Sequence, residues 1–436
     1  MSFELPFKLP TGWQVATVDE LVKQKIIAKP LDGNHGGIHP KASDYIESGV
    51  PFVMASDLAG GRVDLIDCKF ISEEQASGLR KGIAKAGDVL LSHKATIGRT
   101  AIVQDSKHDF IMLTPQVTYY RVINSSALSN IYLKAYFDSR FFQSILGLWA
   151  GAGSTRAYLG ITGQLKLPII LPPIEIQNEI SGQVHALNKK VNLNNEINQT
   201  LEEMAQTIFK SWFVDFDPVK AKMNGDQPEG MDAATASLFP EKLVESELGL
   251  IPDGWEVKPF SEWVKITKGK NITKKTIVDG DVPVVAGGLK PAYFHNAHNV
   301  DGPAITISAS GANAGYVNLY FENIWASDCS YISQSTTPLF FLQYVALRYN
   351  QKKIFDMQTG AAQPHIYPRD FERLMIVVPN EELCRKLEEV FASFFRTVAN
   401  NKQQNIDLAA LRDTLLPKLL SGEIELGTSE ELVEAI

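Results

Sequence analysis

Four stretches of this 436-residue chain set cations, amides or hydroxyls among small residues. The first, Ser92-His93-Lys94-Ala95-Thr96-Ile97-Gly98-Arg99-Thr100, follows a predicted strand. Lys94 and Arg99 there can neutralise phosphate, the small residues let the backbone approach one, and Thr96 completes the candidate set. Its counterpart is Ser308-Ala309-Ser310-Gly311-Ala312-Asn313-Ala314-Gly315, where Ser310 and Asn313 offer hydroxyl and amide instead of charge. The second pair is Gly151-Ala152-Gly153-Ser154-Thr155-Arg156-Ala157-Tyr158 and Gly360-Ala361-Ala362-Gln363-Pro364-His365-Ile366-Tyr367-Pro368-Arg369. It contributes Ser154, Thr155, Arg156 and Tyr158 on one side and Gln363, His365 and Arg369 on the other. The fork of Arg156 suits a guanine edge and the amide of Gln363 an adenine edge. Lys268, Lys270, Lys274 and Lys275 form a basic run, by default a solvated surface and alternatively a clamp on a phosphate backbone.

Motifs for bond-making chemistry are missing. There is no G-x-x-x-x-G-K-[ST] loop, no G-x-S-x-G elbow and no H-E-x-x-H pair. No Asn/Asp-Pro-Pro-aromatic motif of an amino-methyltransferase is present, since Leu171-Pro172-Pro173-Ile174 lacks the amide and the aromatic. Gly151-Ala152-Gly153 lacks the third glycine of a dinucleotide fingerprint and reads as a loop. His35 and His39, and His295 and His298, read as loop histidines, because Gly and Pro break the helix that would present the first pair to a metal. Neither a catalytic site nor a metal site is expected, and no cofactor on this chain.

Hydrophobic content of 44% and charged content of 21% suit a soluble globular protein of two or three domains. No apolar run is long enough to span a membrane and no secretory signal is visible. Cys68, Cys329 and Cys384 are too scattered for a disulfide framework, so a reducing cytoplasm is expected. The net charge of −8 is uneven: residues 215–247 carry −5 and residues 423–436 another −5, leaving +2 for everything else. The overall acidity is therefore no obstacle to a polyanionic ligand.

The elements that must position the loops occur twice. Leu9-Pro10-Thr11-Gly12-Trp13 returns as Ile251-Pro252-Asp253-Gly254-Trp255, an offset of 242. Val50-Pro51-Phe52-Val53 answers Val282-Pro283-Val284-Val285, and Gly87-Asp88-Val89-Leu90-Leu91-Ser92 resembles Gly302-Pro303-Ala304-Ile305-Thr306-Ile307-Ser308. Further on the offset settles at 207: Gly153 with Gly360, Leu167-Pro168-Ile169 with Leu374-Met375-Ile376, Asn194 with Asn401. Two homologous halves, the first about 35 residues longer, account for the ordered series. Each runs through a Gly-Trp opening, short strands, a Gly-rich loop and an apolar strand ending at proline, then a long helix. The composition of residues 216–250 reads as a linker.

Residues 177–213 place Ile180, Val184, Leu187, Val191, Ile197, Leu201, Met204 and Ile208 at 3–4 spacing, and residues 381–416 repeat this with Leu383, Leu387, Val390, Phe394, Leu408, Leu411 and Leu415. Helices near 54 Å long, at 1.5 Å per residue, need a partner along such a stripe, and a coiled coil between the two supplies it. Polar residues interrupt both stripes: Asn194 and Asn198 on one, Thr397, Asn401 and Gln404 on the other. They fix register or open the coil locally to water.

Within these helices, Asn192-Leu193-Asn194-Asn195-Glu196-Ile197-Asn198 and Phe209-Lys210-Ser211-Trp212-Phe213-Val214-Asp215-Phe216-Asp217-Pro218 resemble the central conserved region of Type I restriction–modification specificity subunits. Leu411-Arg412-Asp413-Thr414-Leu415-Leu416-Pro417-Lys418-Leu419-Leu420-Ser421-Gly422 resembles their distal conserved region. The resemblance spans essentially the whole chain. It implies an α/β (α+β) fold: target recognition domains over residues 1–176 and 251–380, and antiparallel coiled-coil helices over 177–215 and 381–422. A pseudo-two-fold axis would relate the halves, with 216–250 as linker and 423–436 as acidic tail. It further implies that each domain reads half of an interrupted double-stranded DNA site. Two methyltransferase subunits and restriction/translocase subunits would be the partners, carrying S-adenosylmethionine, ATP and Mg. A self-contained restriction enzyme with its own recognition domains is the alternative, opposed by the missing catalytic motifs.

Overall fold

The computed structural model describes residues 7–151, 157–360 and 363–424. The chain divides into two compact units, residues 1–193 with 404–436 and residues 194–403, so that each unit owns one portion of each long helix.

In the first unit, β1 (Gln14–Thr17) leads into α1 (Val18–Lys23), whose start is fixed by a Thr17–Glu20 capping box. The strands that follow are β2 (Leu31–Asp32), β3 (Val50–Val53), β4 (Lys69–Ile71), β5 (Val89–Lys94), β6 (Thr96–Ile102), β7 (Ile111–Leu113) and β8 (Val117–Tyr120). After α2 (Asn130–Asp138) and α3 (Arg140–Ala150), β9 (Pro168–Leu171) pairs antiparallel with β1, Gln14 opposite Leu171. One sheet contains β2-β8-β5-β6 in that order and a second contains β4-β3-β7, with β3 and β7 parallel. The α2 residues Tyr132, Tyr136 and Phe137 are fully buried on the first sheet. The hydroxyls of Tyr132 and Tyr136 are satisfied by the carbonyls of Ile170 and Pro168, at 2.9 and 2.8 Å, which ties α2 to β9.

The second unit repeats this plan strand for strand: β10 (Glu256–Pro259), β11 (Thr267–Lys268), β12 (Val282–Val285), β13 (Tyr293–His295), β14 (Ala304–Ser308), β15 (Val317–Tyr320), β16 (Trp325–Ala326), β17 (Cys329–Ser333) and β18 (Met375–Val378). Its sheets run β11-β17-β14-β15 and β13-β12-β16, with β12 and β16 parallel. Strands β10 and β18 pair antiparallel, Glu256 opposite Val378, which reproduces both sequence offsets in one register. Within its greater length the first half carries three extra short strands, Leu58–Ala59, Arg62–Val63 and Ile83–Ala84, and a short helix, Glu73–Ser77.

The long helices, α4 (Ile174–Phe213) and α7 (Glu381–Ser421), pair antiparallel. In the first unit Arg412 donates to Asn188 Oδ1 at 3.3 Å, and Ile180 and Val184 share a core with Leu416, Leu419 and Leu420. In the second unit Asn401 Nδ2 donates to Asn198 Oδ1 at 2.9 Å, while Ala205, Phe209 and Phe213 share a core with Leu387, Phe391 and Phe395. Asn194 and Asn198 lie buried on the seam as expected, but Thr397 and Gln404 are exposed, and Val398 is the buried residue beside Thr397. Ile197 and Met204 also face solvent; the seam keeps its phase through Asn194, Asn198, Leu201 and Ala205.

The stretch 216–250 is not a loose linker but part of the second unit's core. It forms α5 (Asp217–Met223), α6 (Ala233–Ser237) and a hairpin of Leu243–Ser246 with Gly249–Pro252. Val219 and Phe239 are buried, and Trp255 of the Gly-Trp opening packs 5.7 Å from Phe213 and 5.9 Å from Phe216, ring to ring. Each buried aromatic of this kind contributes about 1.5–3 kcal/mol, enough to fix a segment rich in Gly, Pro and acids. The second Gly-Trp opening thus docks on the last turn of α4. Trp13 is half-buried and packs against the first unit's core, which includes Leu416, Leu419 and Leu420 of α7. Among the described residues, no helix is long and apolar enough to cross a membrane.

Candidate nucleic-acid interface

In each half the fold brings the two candidate loops together. Strand β5 ends at Lys94, the chain turns at Ala95 with φ of 63°, and β6 leaves from Thr96. The second loop closes on this turn: Lys94 and Tyr158 form an isolated antiparallel bridge, Ala95 N donates to Ala157 O at 3.2 Å, and Leu159 N donates to His93 O at 3.1 Å. In the second half, Ser310 and His365 form the matching bridge and Ile366 N donates to Ala309 O at 3.0 Å. The backbone arrangement is the same, and Leu159 and Ile366 differ by the offset of 207.

His93 fastens the first pair. Its ring is buried, 5.7 Å from that of Tyr158, and Nδ1 lies 3.0 Å from Leu159 O. Burial holds its pKa below the usual histidine value, so the ring is neutral at pH 7. A carbonyl only accepts, so the proton sits on Nδ1 and Nε2 is left buried without a partner. Lys94, Thr96 and Arg99 are exposed, and Tyr158 is 48% exposed. Arg99 Nη1 donates to the carbonyls of Ala55 and Ser56 at 3.2 and 3.1 Å, leaving its other donors for a ligand. Gly98 is small for a local reason: a Cβ there would lie 2.1 Å from the Gln143 side chain, which bonds Gly98 O at 3.0 Å. Ser154, Thr155 and Arg156 lie outside the described residues.

In the second half the cations gather on an aromatic. Tyr367 stacks with His365 at 5.9 Å and 10°, and both Lys268 and Arg369 hold their charge 5.7 Å from the Tyr367 ring. Residues far apart in sequence meet there, which no spacing revealed. The Ser310 hydroxyl donates to the Asp328 carboxylate. Gln363 is exposed and Asn313 half-buried. Lys270 is held through its backbone: its N donates to Ala326 O at 2.9 Å and its O accepts from Trp325 Nε1 at 2.8 Å, leaving the side chain exposed. Of the histidines read as loop residues, His35 lies 2.7 Å from Asp32 and His298 3.1 Å from Asp301, whereas His295 belongs to strand β13 with its Nδ1 3.0 Å from Val278 O.

The arrangement is thus a duplicated loop pair on matching sheets, with cations, amides and aromatics at its rim. The model of the Type I restriction modification DNA specificity domain matches residues 10–203 and again 252–410, one match per half. The chain belongs to this family. It is similar to the Type I restriction enzyme HindI specificity subunit of Haemophilus influenzae, 26% identical over 86% of this chain and 94% of that one. The MjaIX specificity subunit of Methanocaldococcus jannaschii is 24% identical over 97% and 99%. The crystal structure of the Type I S subunit from M. genitalium covers 96% of this chain and 99% of its own at a TM-score of 0.53 and 15% identity, a likeness of fold.

Sequence reasoning missed Tyr367, His93 and Asp328. His93 lay inside a candidate stretch, but its side chain acts on a loop 66 residues away and not on a ligand.

Proposed function

We propose that this specificity-family chain reads a two-part double-stranded DNA site for partner subunits and catalyses nothing itself. The observation that carries this reading is the duplicated loop pair, Lys94 bridged to Tyr158 and Ser310 bridged to His365. One reading surface per half is what a site with two separate specified blocks requires. Residues 1–176 and 251–380 would be the target recognition domains. Lys94, Thr96 and Arg99 would meet phosphate, as would Lys268, Lys270 and Arg369 around Tyr367. Arg156 with Ser154, Thr155 and Tyr158, and Gln363 with Ser310, Asn313 and His365, would face base edges. The paired helices would hold the halves in register and offer docking sites to two methyltransferase subunits, with restriction/translocase subunits joining them. S-adenosylmethionine, ATP and Mg would be bound by those partners, in the cytoplasm, for adenine methylation and restriction.

The test is to express the chain with its methyltransferase partner in a host without other adenine methylation and sequence the methylated positions. Two short specified blocks separated by an unspecified spacer, seen only when this chain is present, are expected. A contiguous motif, or methylation or cleavage by the purified chain alone, would contradict the reading.

A further inference from the structure

A third loop reaches the reading surface in both halves. After β3, the turn Ala55–Asp57 is held by Arg99, whose guanidinium bonds Ala55 O and Ser56 O. After β12, the corresponding strand, residues 287–290 are held on the other reading loop: Ser308 Oγ donates to Gly287 O at 3.0 Å. A side chain at Gly287 would meet Ser310 O at 2.7 Å, so only glycine allows this approach. The same topological turn therefore arrives beside the loop pair each time, but with different contents. The first presents an exposed Ser56. The second presents Leu289, 53% exposed, followed by an exposed Lys290.

An exposed leucine on a Gly-Gly turn has no part in any core cluster of its unit. Its neighbours define what would cover it. Ser310, against which Gly287 packs, bridges to His365, and His365 stacks on the Tyr367 ring that carries Lys268 and Arg369. The Asp328 carboxylate beside Gly287 is taken up by the Ser310 hydroxyl, and an apolar group followed by lysine, on a surface that also carries Lys268 and Arg369, suits a polyanion with apolar points. The thymine C5-methyl in the major groove is such a point.

We propose that the turn Gly287–Lys290 is a third DNA-contacting element of the second half, with Leu289 packing on a thymine methyl and Lys290 neutralising a phosphate. This rests on the DNA-reading function above. The test uses the full chain assembled with its methyltransferase partner, as Leu289→Ala and Lys290→Ala. Binding is measured to the cognate site and to sites with deoxyuridine replacing each thymine of either strand in turn. At one second-block position, loss of the methyl should weaken the parent about fourfold, the worth of one buried methyl group. Leu289→Ala should be insensitive to the same change. Lys290→Ala should keep the parent's base preference and lower the slope of log affinity against log salt by about one. The first block should be unaffected in both. Parent-like behaviour of both variants, or equal losses at the two blocks, would overturn this inference alone. A parent complex with no sequence preference would overturn the DNA-reading function beneath it.

Discussion

Replacing His93 with leucine separates the stability of the first half from its ability to read DNA. The change removes the Nδ1–H bond to Leu159 O, worth about 0.5–1.5 kcal/mol net. Leu159 O is not orphaned, because Gln164 Nε2 also donates to it at 2.8 Å. The change also removes the buried, unpartnered Nε2, whose desolvation costs about 1–3 kcal/mol. The two effects oppose and the second is at least as large, so His93→Leu should unfold within about 1 kcal/mol of the parent or at higher denaturant. Its loop stem, however, loses the side-chain tether beside Tyr158. Discrimination at the first block should fall while the second block is read as before. Asparagine, whose amide can take the Nδ1 position, should restore reading. The pH profile gives a second check. A base whose folded pKa lies below the ordinary histidine value of 6.5 adds stability that is complete above that value. That stability is lost as pH falls through the folded pKa, and His93→Leu should lack this acid limb. Urea titrations at several pH values and binding to single-base variants of each block are the assays. Several kcal/mol of lost stability, or unchanged reading of the first block, would refute the reasoning.

Glu388 titrates with the opposite sign: burial pushes its pKa up to about 7 although it accepts from the N–H groups of Phe341 and Leu342. The second unit should therefore lose stability as pH rises from about 4.5 to 7, by a ceiling of about 3 kcal/mol and about half that once partial exposure is counted, and Glu388→Gln should flatten the slope. On the helix seam, Asn401→Leu strands Asn198 and should cost about 1–3 kcal/mol in denaturant titrations, whereas leucine at both positions should recover most of it. At the reading surfaces, Gln363→Ala should relax one position of the second block, and Lys94→Ala should lower the salt slope by about one without altering base preference, as read from affinity across salt and single-base variants.

The repeat was legible because strand pairing obeys it: the offsets of 242 and 207 come together in the β1–β9 and β10–β18 registers. The helix seam was legible only in part. Choosing the most apolar residue at each step led from Asn194 to Ile197 and Met204, while the buried track continued through Asn198, Leu201 and the small Ala205. Composition misled at 216–250, where Phe216 and Phe239 anchor a segment otherwise rich in turn formers. Of the interface, Ser310–Gly315 was legible as a loop, but Ser92–Thr100 is a tight hairpin, with Lys94 ending one strand and Thr96 and Arg99 lying in the next. The closure of each loop pair depends on backbone bridges such as Lys94 to Tyr158, and the cluster on Tyr367 joins Lys268 to Arg369 across a hundred residues; neither leaves a local signal.

The central claim is that each half reads its own block. The most direct measurement exchanges residues 14–165 for the equivalent segment of another family member and sequences the methylated positions in the host genome. The exchange keeps α4 and the whole second unit. One specified block should change, with the other block and the spacer retained. A change in both blocks together would contradict independent reading by the two halves.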